Sequence, residues 1–536
     1  MESKTLKELY FRSVEAYRSQ TASAMFEGES LTFDDHSRRV EQLQAMLTGA
    51  GIGSGDRVAL LSSNMPNWAV CYFAVVAAGM VVVPILPDFS LGEIDRIIAH
   101  SEARALLVSD KLFGKVSSRT VQQMNIVVRM RNLSVISQKV NLQTTPAEPR
   151  GEDTAAIIYT SGTTSAPKGV MLSHRNLCLQ IEMLHDLFPV HRDDVFLSVL
   201  PLAHTYECSV GMIYPFAYGA QVVYIDRPPT VSTLLPTFAA IRPTAMLSVP
   251  LIIEKIYRSQ VAGRFRSGVR AWIYARGFFR RLIHRTAGRR LVKVFGGRLR
   301  FFGIGGAKLD RQTERFLLEG RFPYAIGYGM TETAPLIAGA TPDMVRLGSA
   351  GRILKGIKFR LDNINHISGE GELVVLTPCA MSGYYKNPEA TGEVLTPDGW
   401  LHTRDLCRFD SDGFISILGR TNNMIVGPSG ENIYPEEIEG VINSHLWVAD
   451  SIVRQEKGAL VALVNFNREE IEKKYQHYKG ELSRYKEEIK ADLLKYVNGQ
   501  VGKFARISKV EETDEFVRTP THKIKRFIYT RKKGQS

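Results

Sequence analysis

Apolar residues change their period repeatedly along this chain. Short apolar runs, RVALLSS from Arg57, VVVPIL from Val81, ALLVSD from Ala105, NIVVRM from Asn125, TAAIIYT from Thr154, VFLSVLPL from Val195, QVVYID from Gln221 and AMLSVP from Ala245, alternate with stretches patterned at helical spacing. Strands that are apolar on both faces and separated by helices build parallel sheets covered by helices, so the expected fold class is α/β. Ala69 to Pro87, AVCYFAVVAAGMVVVPILP, is uncharged and about as long as a membrane span. Gly79 interrupts it, and the segment passes from Ala-rich to β-branched, which reads instead as a buried helix running into a buried strand.

Near the C-terminal end the pattern changes. GRTNNMIVGPSGENIYP, Gly419 to Pro435, is rich in Gly, Pro, Asn and Ser, as expected of a linker followed by a turn. Beyond it EEIEGVINS reads as helix, DSIVRQ and LVALVNF as strands, and Glu469 to Val501 as a long charged helical region. The chain is therefore divided into a large α/β domain, residues 1–420, and a small α+β domain, residues 421–536.

Composition adds limits. The chain has 536 residues, 44% hydrophobic and 23% charged, with net charge +13. That is ordinary for a globular protein with a sizeable core, and the positive balance suits anionic partners without selecting among nucleotides, CoA, nucleic acid or an anionic membrane. No nucleic-acid-binding module accompanies the charge, so no nucleic-acid partner is expected. Cys71, Cys178, Cys208, Cys379 and Cys407 are scattered, with neither a CxxC pair nor zinc spacing. The N-terminus, MESKTLKELYFRSVEAYRSQ, lacks the apolar core of a signal peptide. A reducing, cytoplasmic setting is expected.

Candidate chemistry begins at IIYTSGTTSAPKGVMLSH, Ile157 to His174. A strand-like run opens into Thr160, Ser161, Gly162, Thr163, Thr164 and Ser165, followed by Lys168. Small residues let backbone N–H groups close on phosphate oxygens, hydroxyls add donors, and Lys168 brings positive charge. The spacing is not the GxxxxGK[ST] of P-loop NTPases, and a Ser/Thr/Gly loop alone also fits a solvated turn.

YTSGTTSAPKGV resembles the signature loop of the adenylate-forming superfamily, which includes acyl-CoA synthetases, luciferases and peptide-synthetase adenylation domains. Further segments follow in that family's order: LPLAHTYE from Leu200, GIGGAKLD from Gly303, YGMTET from Tyr328, GWLHTRDL from Gly399, GRTNNMIVGPSGENIYPEEIE from Gly419 and RTPTHKIKR from Arg518. The resemblance implies a large multi-sheet domain with a small mobile C-terminal lid, and ATP, Mg2+ and CoA as cofactor and substrates. It places Gly305, Gly306 and Ala307 against adenine, Tyr328 and Gly329 within the nucleotide-binding motif, and Thr331 and Glu332 at the α-phosphate. Glu332, with Thr160, would hold Mg2+. Asp405 would bind the ribose hydroxyls, Arg420 would lie near ribose and phosphate, and Gly430 would line the pantetheine path, unless it is simply a turn glycine. Lys523 matches the lid's catalytic lysine, with Lys525 the alternative in a shifted register. His204 would sit by the acyl carboxylate or else cap a turn.

Two departures from the family pattern stand out: Ser165 stands where Gly is commonest, and Asn422 and Asn423 stand where charged or acidic residues are frequent. The whole chain is most similar to bacterial long-chain acyl-CoA ligases, which implies a fatty acid substrate. An acyl carrier protein as the thiol acceptor, and a non-catalytic sensor, stay open as alternatives. Between Lys255 and Lys308 there is no acidic residue, and arginines from Arg258 to Arg290 alternate with apolar residues. Such a stretch suits peripheral contact with an anionic membrane face, a solvated surface, or CoA phosphates.

Overall fold

A computed structural model describes residues 3–139, 142–160, 167–260, 274, 276–426, 432–456, 458–475, 482–519 and 524–530. All eight apolar runs form strands, in two sheets. In the first, of eight strands, the parallel centre Thr154–Thr160, Val81–Ile85, Arg57–Leu61, Ala105–Val108 and Ile126–Arg129 is flanked by antiparallel edges, with Lys168–Ser173 and then Gly383–Tyr384 beside Thr154–Thr160. In the second, of nine strands, Tyr324–Gly329, Phe301–Ile304, Ala245–Ser248, Val195–Ser198, Gln221–Tyr224 and Thr21–Met25 run parallel in that order.

The uncharged run resolves as the sequence reading expects. Pro66–Ala77 is a helix with every residue buried, Gly79 adopts φ +72°, and Val81–Ile85 is a buried strand. The helix belongs to one apolar cluster with residues of both large sheets, which is why it carries no polar face. Among the described residues no helix is long and apolar enough to cross a membrane. All five cysteines are buried and free.

One feature escaped the sequence reading. Lys358–Asn365, Glu370–Leu376, Leu401–Phe409 and Ile415–Arg420 form a separate four-stranded antiparallel sheet. Its strands mix exposed and buried positions, so the apolar signal is weaker than in the parallel strands. The charged region after Glu469 is helical as its pattern predicts, in Arg468–Tyr475 and Leu482–Asn498 of the described residues. They pack beside a three-stranded sheet, Val448–Glu456, Ala459–Phe466 and Ile507–Glu512.

The basic stretch is only partly a free surface. Its helix Gly277–Val294 docks through His284, Gly288 and Leu291, and Arg280 pairs with Glu319 at 2.9 Å. Gly288 lies so close to Gly320 that an added Cβ would meet the Gly320 carbonyl oxygen at 2.2 Å, so a glycine is required for this contact. Residues 261–273 and 275 of the stretch lie outside the described residues.

Candidate active site

The candidate residues gather where polar loops leave the carboxyl ends of the parallel strands, the usual place for ligands in open α/β sheets. Thr160 ends one strand and Lys168 begins the next, and the two are cross-strand partners closing the hairpin that carries the signature loop. Ser161, Gly162, Thr163 and Thr164 lie outside the described residues. The second strand passes directly into the helix His174–Leu187, because Ser173 and Asn176 cap each other reciprocally. Asn176 also donates to the Pro378 carbonyl at 2.8 Å, tying this hairpin to the segment that reaches Tyr384.

In the second sheet, the strand Phe301–Ile304 opens into Gly305, Gly306 and Ala307, with Gly306 at φ +84° and exposed. A Cβ on Gly305 would come within 3.2 Å of the Tyr206 ring. The neighbouring strand carries Tyr328 and Gly329 at its end, followed by Thr331 and Glu332 in a short 3-10 turn. A Cβ on Gly329 would strike the Pro335 carbonyl oxygen at 1.9 Å, so the chain can fold back here only through glycine.

Three predicted residues converge directly. The Tyr328 hydroxyl donates to Asp405 Oδ2 at 2.7 Å, and Arg420 Nε lies 3.2 Å from Asp405 Oδ1. Asp405 and Arg420 face each other across adjacent antiparallel strands, so register alone pairs them. Asp405 is buried, whereas the Arg420 side chain is about half exposed, at 53%. The Asp405 charge, chiefly, raises the Arg420 guanidinium above its usual value. The trio thus offers one fixed carboxylate and one cation at the rim.

Glu332 and Lys168 meet through a residue that the sequence reading missed. Tyr384 donates to Glu332 Oε1 at 2.8 Å, while Lys168 Nζ lies 5.0 Å from the centre of its ring. The only signal in the sequence is the aromatic pair after Gly383, which carries no charge pattern. Among the described residues no basic side chain forms an ion pair with Glu332. A carboxylate oriented by a neutral donor, with the Arg420 charge nearby but not ion-paired to it, fits a hard divalent ion completed by phosphate oxygens.

His204 begins the turn before a π-helical segment, Glu207–Ile213. Its ring accepts the Tyr206 N–H at Nδ1, 3.3 Å, and its carbonyl accepts the Cys208 N–H at 2.9 Å. These are the contacts of a turn-capping histidine. The π turn carries Glu207, 1% exposed, folded back over Gly211, where a Cβ would meet the carboxyl carbon at 2.8 Å. Burial pushes this carboxyl up to about 8, with the Ser198 hydroxyl acting in the other direction. Burial of this kind favours the neutral acid.

A pH effect follows. Unfolded, Glu207 ionises near about 4.3, so between there and about 8 the native state holds the additional proton. Stability relative to a neutral isostere then falls as pH rises through that window, by roughly 1.4 kcal/mol per unit. The melting temperature of Glu207→Gln is expected to gain on wild type from pH 5 to 8 and to hold a constant margin above. A margin independent of pH would mean that the carboxyl ionises normally.

Beside the glycine strands runs a narrow apolar cavity of about 40 Å³, lined by Leu187, Phe188, Tyr206, Val210, Leu247 and Phe301 among others. Phe188 and Phe301, both in its lining, have ring centroids 4.3 Å apart at an interplanar angle of 31°. Gly303 and Gly327 also line it, so the cavity shares its strands with the nucleotide-site candidates.

Lys523 and Gly430 also lie outside the described residues. The described residues on either side of 520–523 are held by contacts. Arg518 and Ile524 form a bridge, and Lys525 N–H donates to the Val517 carbonyl at 2.9 Å. Arg526 Nη1 pairs with buried Glu439 at 2.6 Å.

Comparison with known proteins agrees with this geometry. The family model described as AMP-binding enzyme matches residues 10–385. The long-chain-fatty-acid–CoA ligase FadD15 of Mycobacterium bovis is 30% identical over 444 residues, 76% of this chain and 72% of the relative. The long-chain-fatty-acid–CoA ligase of Salmonella typhimurium is 28% identical over 490 residues, 83% of this chain and 82% of its own. Among solved structures, ATP-bound MatB from Rhodopseudomonas palustris superposes with TM-score 0.78 at 23% identity, covering 99% of this chain and 98% of that one. The Bacillus subtilis o-succinylbenzoate coenzyme A synthetase with AMP gives 0.75 at 21%, covering 97% of both chains. With residues 10–385 matched, well over half of its length, the chain belongs to the AMP-binding enzyme family, in its acyl-CoA synthetase branch.

Proposed function

We propose that this chain is an AMP-forming ligase that activates a long-chain fatty acid as its acyl-adenylate and transfers the acyl group to CoA. The observation that carries the reading is the joining of Tyr328, Asp405 and Arg420 on one side, and Lys168 and Glu332 through Tyr384 on the other, beside an apolar cavity. The long-chain ligases among its relatives support both the acid and CoA as acceptor, and do not favour a carrier protein.

In this reading Asp405 binds the ribose hydroxyls and Arg420 faces the phosphates. Gly305, Gly306 and Ala307 lie against adenine, and Thr331 with the signature-loop hydroxyls and amides binds phosphate oxygens. Glu332 and Thr160 would hold Mg2+, which when bound neutralises polyphosphate charge. A carboxylate oxygen of the acid attacks the α-phosphorus, the bond to the bridging oxygen breaks, and pyrophosphate departs. Lys523, carried by a lid of residues 421–536, bridges the carboxylate and the α-phosphate, and His204 lines the acyl carboxylate side. The lid then turns about the Asn422 region, the CoA thiol passes Gly430 to attack the acyl carbonyl, and AMP leaves.

The helix Gly277–Val294 presents Phe278, Phe279 and Leu282, 77%, 44% and 57% exposed, among exposed Arg281, Arg285, Arg289 and Arg290. This face suits the anionic bilayer in which a fatty acid dissolves. Pyrophosphate release by the full chain, measured from acetate to palmitate and aryl acids with and without CoA, tests the reaction. Release confined to long acids with acyl-CoA formed supports the reading, and release with no acid tested refutes it. Sedimentation with phosphatidylglycerol vesicles at low salt tests the membrane contact, and protein left in the supernatant refutes that part.

A further inference from the structure

We infer that Tyr384 is a positioning residue for the metal–polyphosphate site, orienting Glu332 through its hydroxyl and Lys168 through its ring. The inference rests on the reading of Glu332 as the carboxylate that meets the metal. Glu332 and Lys168 come from different sheets: Glu332 follows the strand Tyr324–Gly329, whereas Lys168 opens the strand Lys168–Ser173. No direct contact between the two is needed, because one side chain touches both. The hydroxyl donates to Glu332 Oε1 at 2.8 Å, and the ammonium of Lys168 lies 5.0 Å from the ring centroid, within cation–π range.

Tyr384 is itself tightly held, which a positioning role requires. It is buried, and its strand pairs antiparallel with Lys168–Ser173, placing Tyr384 opposite Val170. Its N–H donates to Thr391 Oγ1 at 2.9 Å, and the following Tyr385 N–H donates to the Gly169 carbonyl at 2.7 Å. The same short segment reaches Glu332 by backbone as well, since Met381 N–H donates to the Glu332 carbonyl at 2.8 Å. The chain from Met381 to Tyr385 therefore staples the Glu332 turn to the hairpin that carries the signature loop. A carboxylate left to itself on a surface turn samples several rotamers. With one oxygen fixed by a phenol, it presents the other in one direction, and hydrogen-bond partners of this kind typically change metal affinity about 10–100-fold when removed.

The hydroxyl and the ring have separable effects. Tyr384→Phe removes only the bond to Glu332, and Tyr384→Leu removes the ring facing Lys168 too. We expect Tyr384→Phe to raise about tenfold the Mn2+ concentration that half-saturates the protein in the presence of a non-hydrolysable ATP analogue, read by the loss of free-Mn2+ paramagnetic resonance. ATP-analogue affinity without metal should change little in Tyr384→Phe and fall in Tyr384→Leu, where the Lys168 placement is lost. Glu332→Gln and the double variant Glu332→Gln/Tyr384→Phe complete a cycle, and their effects should be strongly non-additive. Melting temperatures confirm that each variant is folded. Unchanged Mn2+ half-saturation in Tyr384→Phe, with a large shift in Glu332→Gln, would overturn the role of Tyr384 while keeping the site. No shift in Glu332→Gln either would instead overturn the reading of Glu332 on which the inference rests.

Discussion

Replacing Lys523 with alanine is expected to slow acyl-adenylate formation by about 10²–10³-fold, the usual loss when a single preorganised charge stabiliser is removed from a transition state. Negative charge accumulates on the entering carboxylate and the α-phosphate only in the first half-reaction, so transfer from preformed acyl-adenylate to CoA should be largely preserved. Acid-dependent exchange of labelled pyrophosphate into ATP measures the first step, and thioester formation from synthetic acyl-adenylate measures the second. Lys525→Ala is the register control. Its backbone is tied to Val517, two residues before the motif reaches Thr519, and Arg526 beside it is committed to Glu439. Both observations give the residues after Ile524 structural contacts, next to the helix Phe527–Thr530. If Lys525→Ala abolished exchange and Lys523→Ala did not, the assignment would move by two residues.

The second large effect is expected at Asp405. Its carboxylate is buried, accepts the Tyr328 hydroxyl and faces Arg420. Asp405→Ala removes the carboxylate proposed to bind the ribose hydroxyls, and hydrogen bonds to a charged group are worth about 1.5–3 kcal/mol. That corresponds to roughly 10–100-fold in the KM for ATP, with the KM for the fatty acid little changed. Asp405→Asn keeps an acceptor for Tyr328 but not the charge opposite Arg420, so its KM for ATP should lie between wild type and alanine. Equal behaviour of Asn and Ala would show that the carboxylate's charge, and not its hydrogen bond to Tyr328, is the important property.

The candidate motifs YGMTET and HTRDL were legible because they are local: the first spans the end of the strand Tyr324–Gly329 and the turn after it, the second lies within the strand Leu401–Phe409. That Tyr328 meets Asp405 is a tertiary contact. Tyr384 was not legible, since its importance lies in reaching Glu332 from a segment 52 residues away, and a Gly-Tyr-Tyr turn carries no periodic or charge signal. Glu207 lies within LPLAHTYE with no local feature to set it apart. A glutamate is normally exposed, and only the π turn with Gly211 beneath it buries this one. The basic stretch read as a uniform arginine-rich face, but Arg280 and His284 turn inward to Glu319, leaving only part of the helix outward.

The α/β class, the eight apolar strands and the buried helix Pro66–Ala77 follow from local pattern, because burial on both faces writes itself as uninterrupted apolar runs whose period and length are local properties. Which polar residues meet is set by long-range packing. Strand register set Asp405 against Arg420, sheet order brought Gly383–Tyr384 beside Lys168–Ser173, and close packing selected glycine at 288 and 329. Those outcomes depend on contacts between residues far apart in the chain, and such contacts are fixed by hydrogen-bond pairing and steric fit that no local pattern encodes.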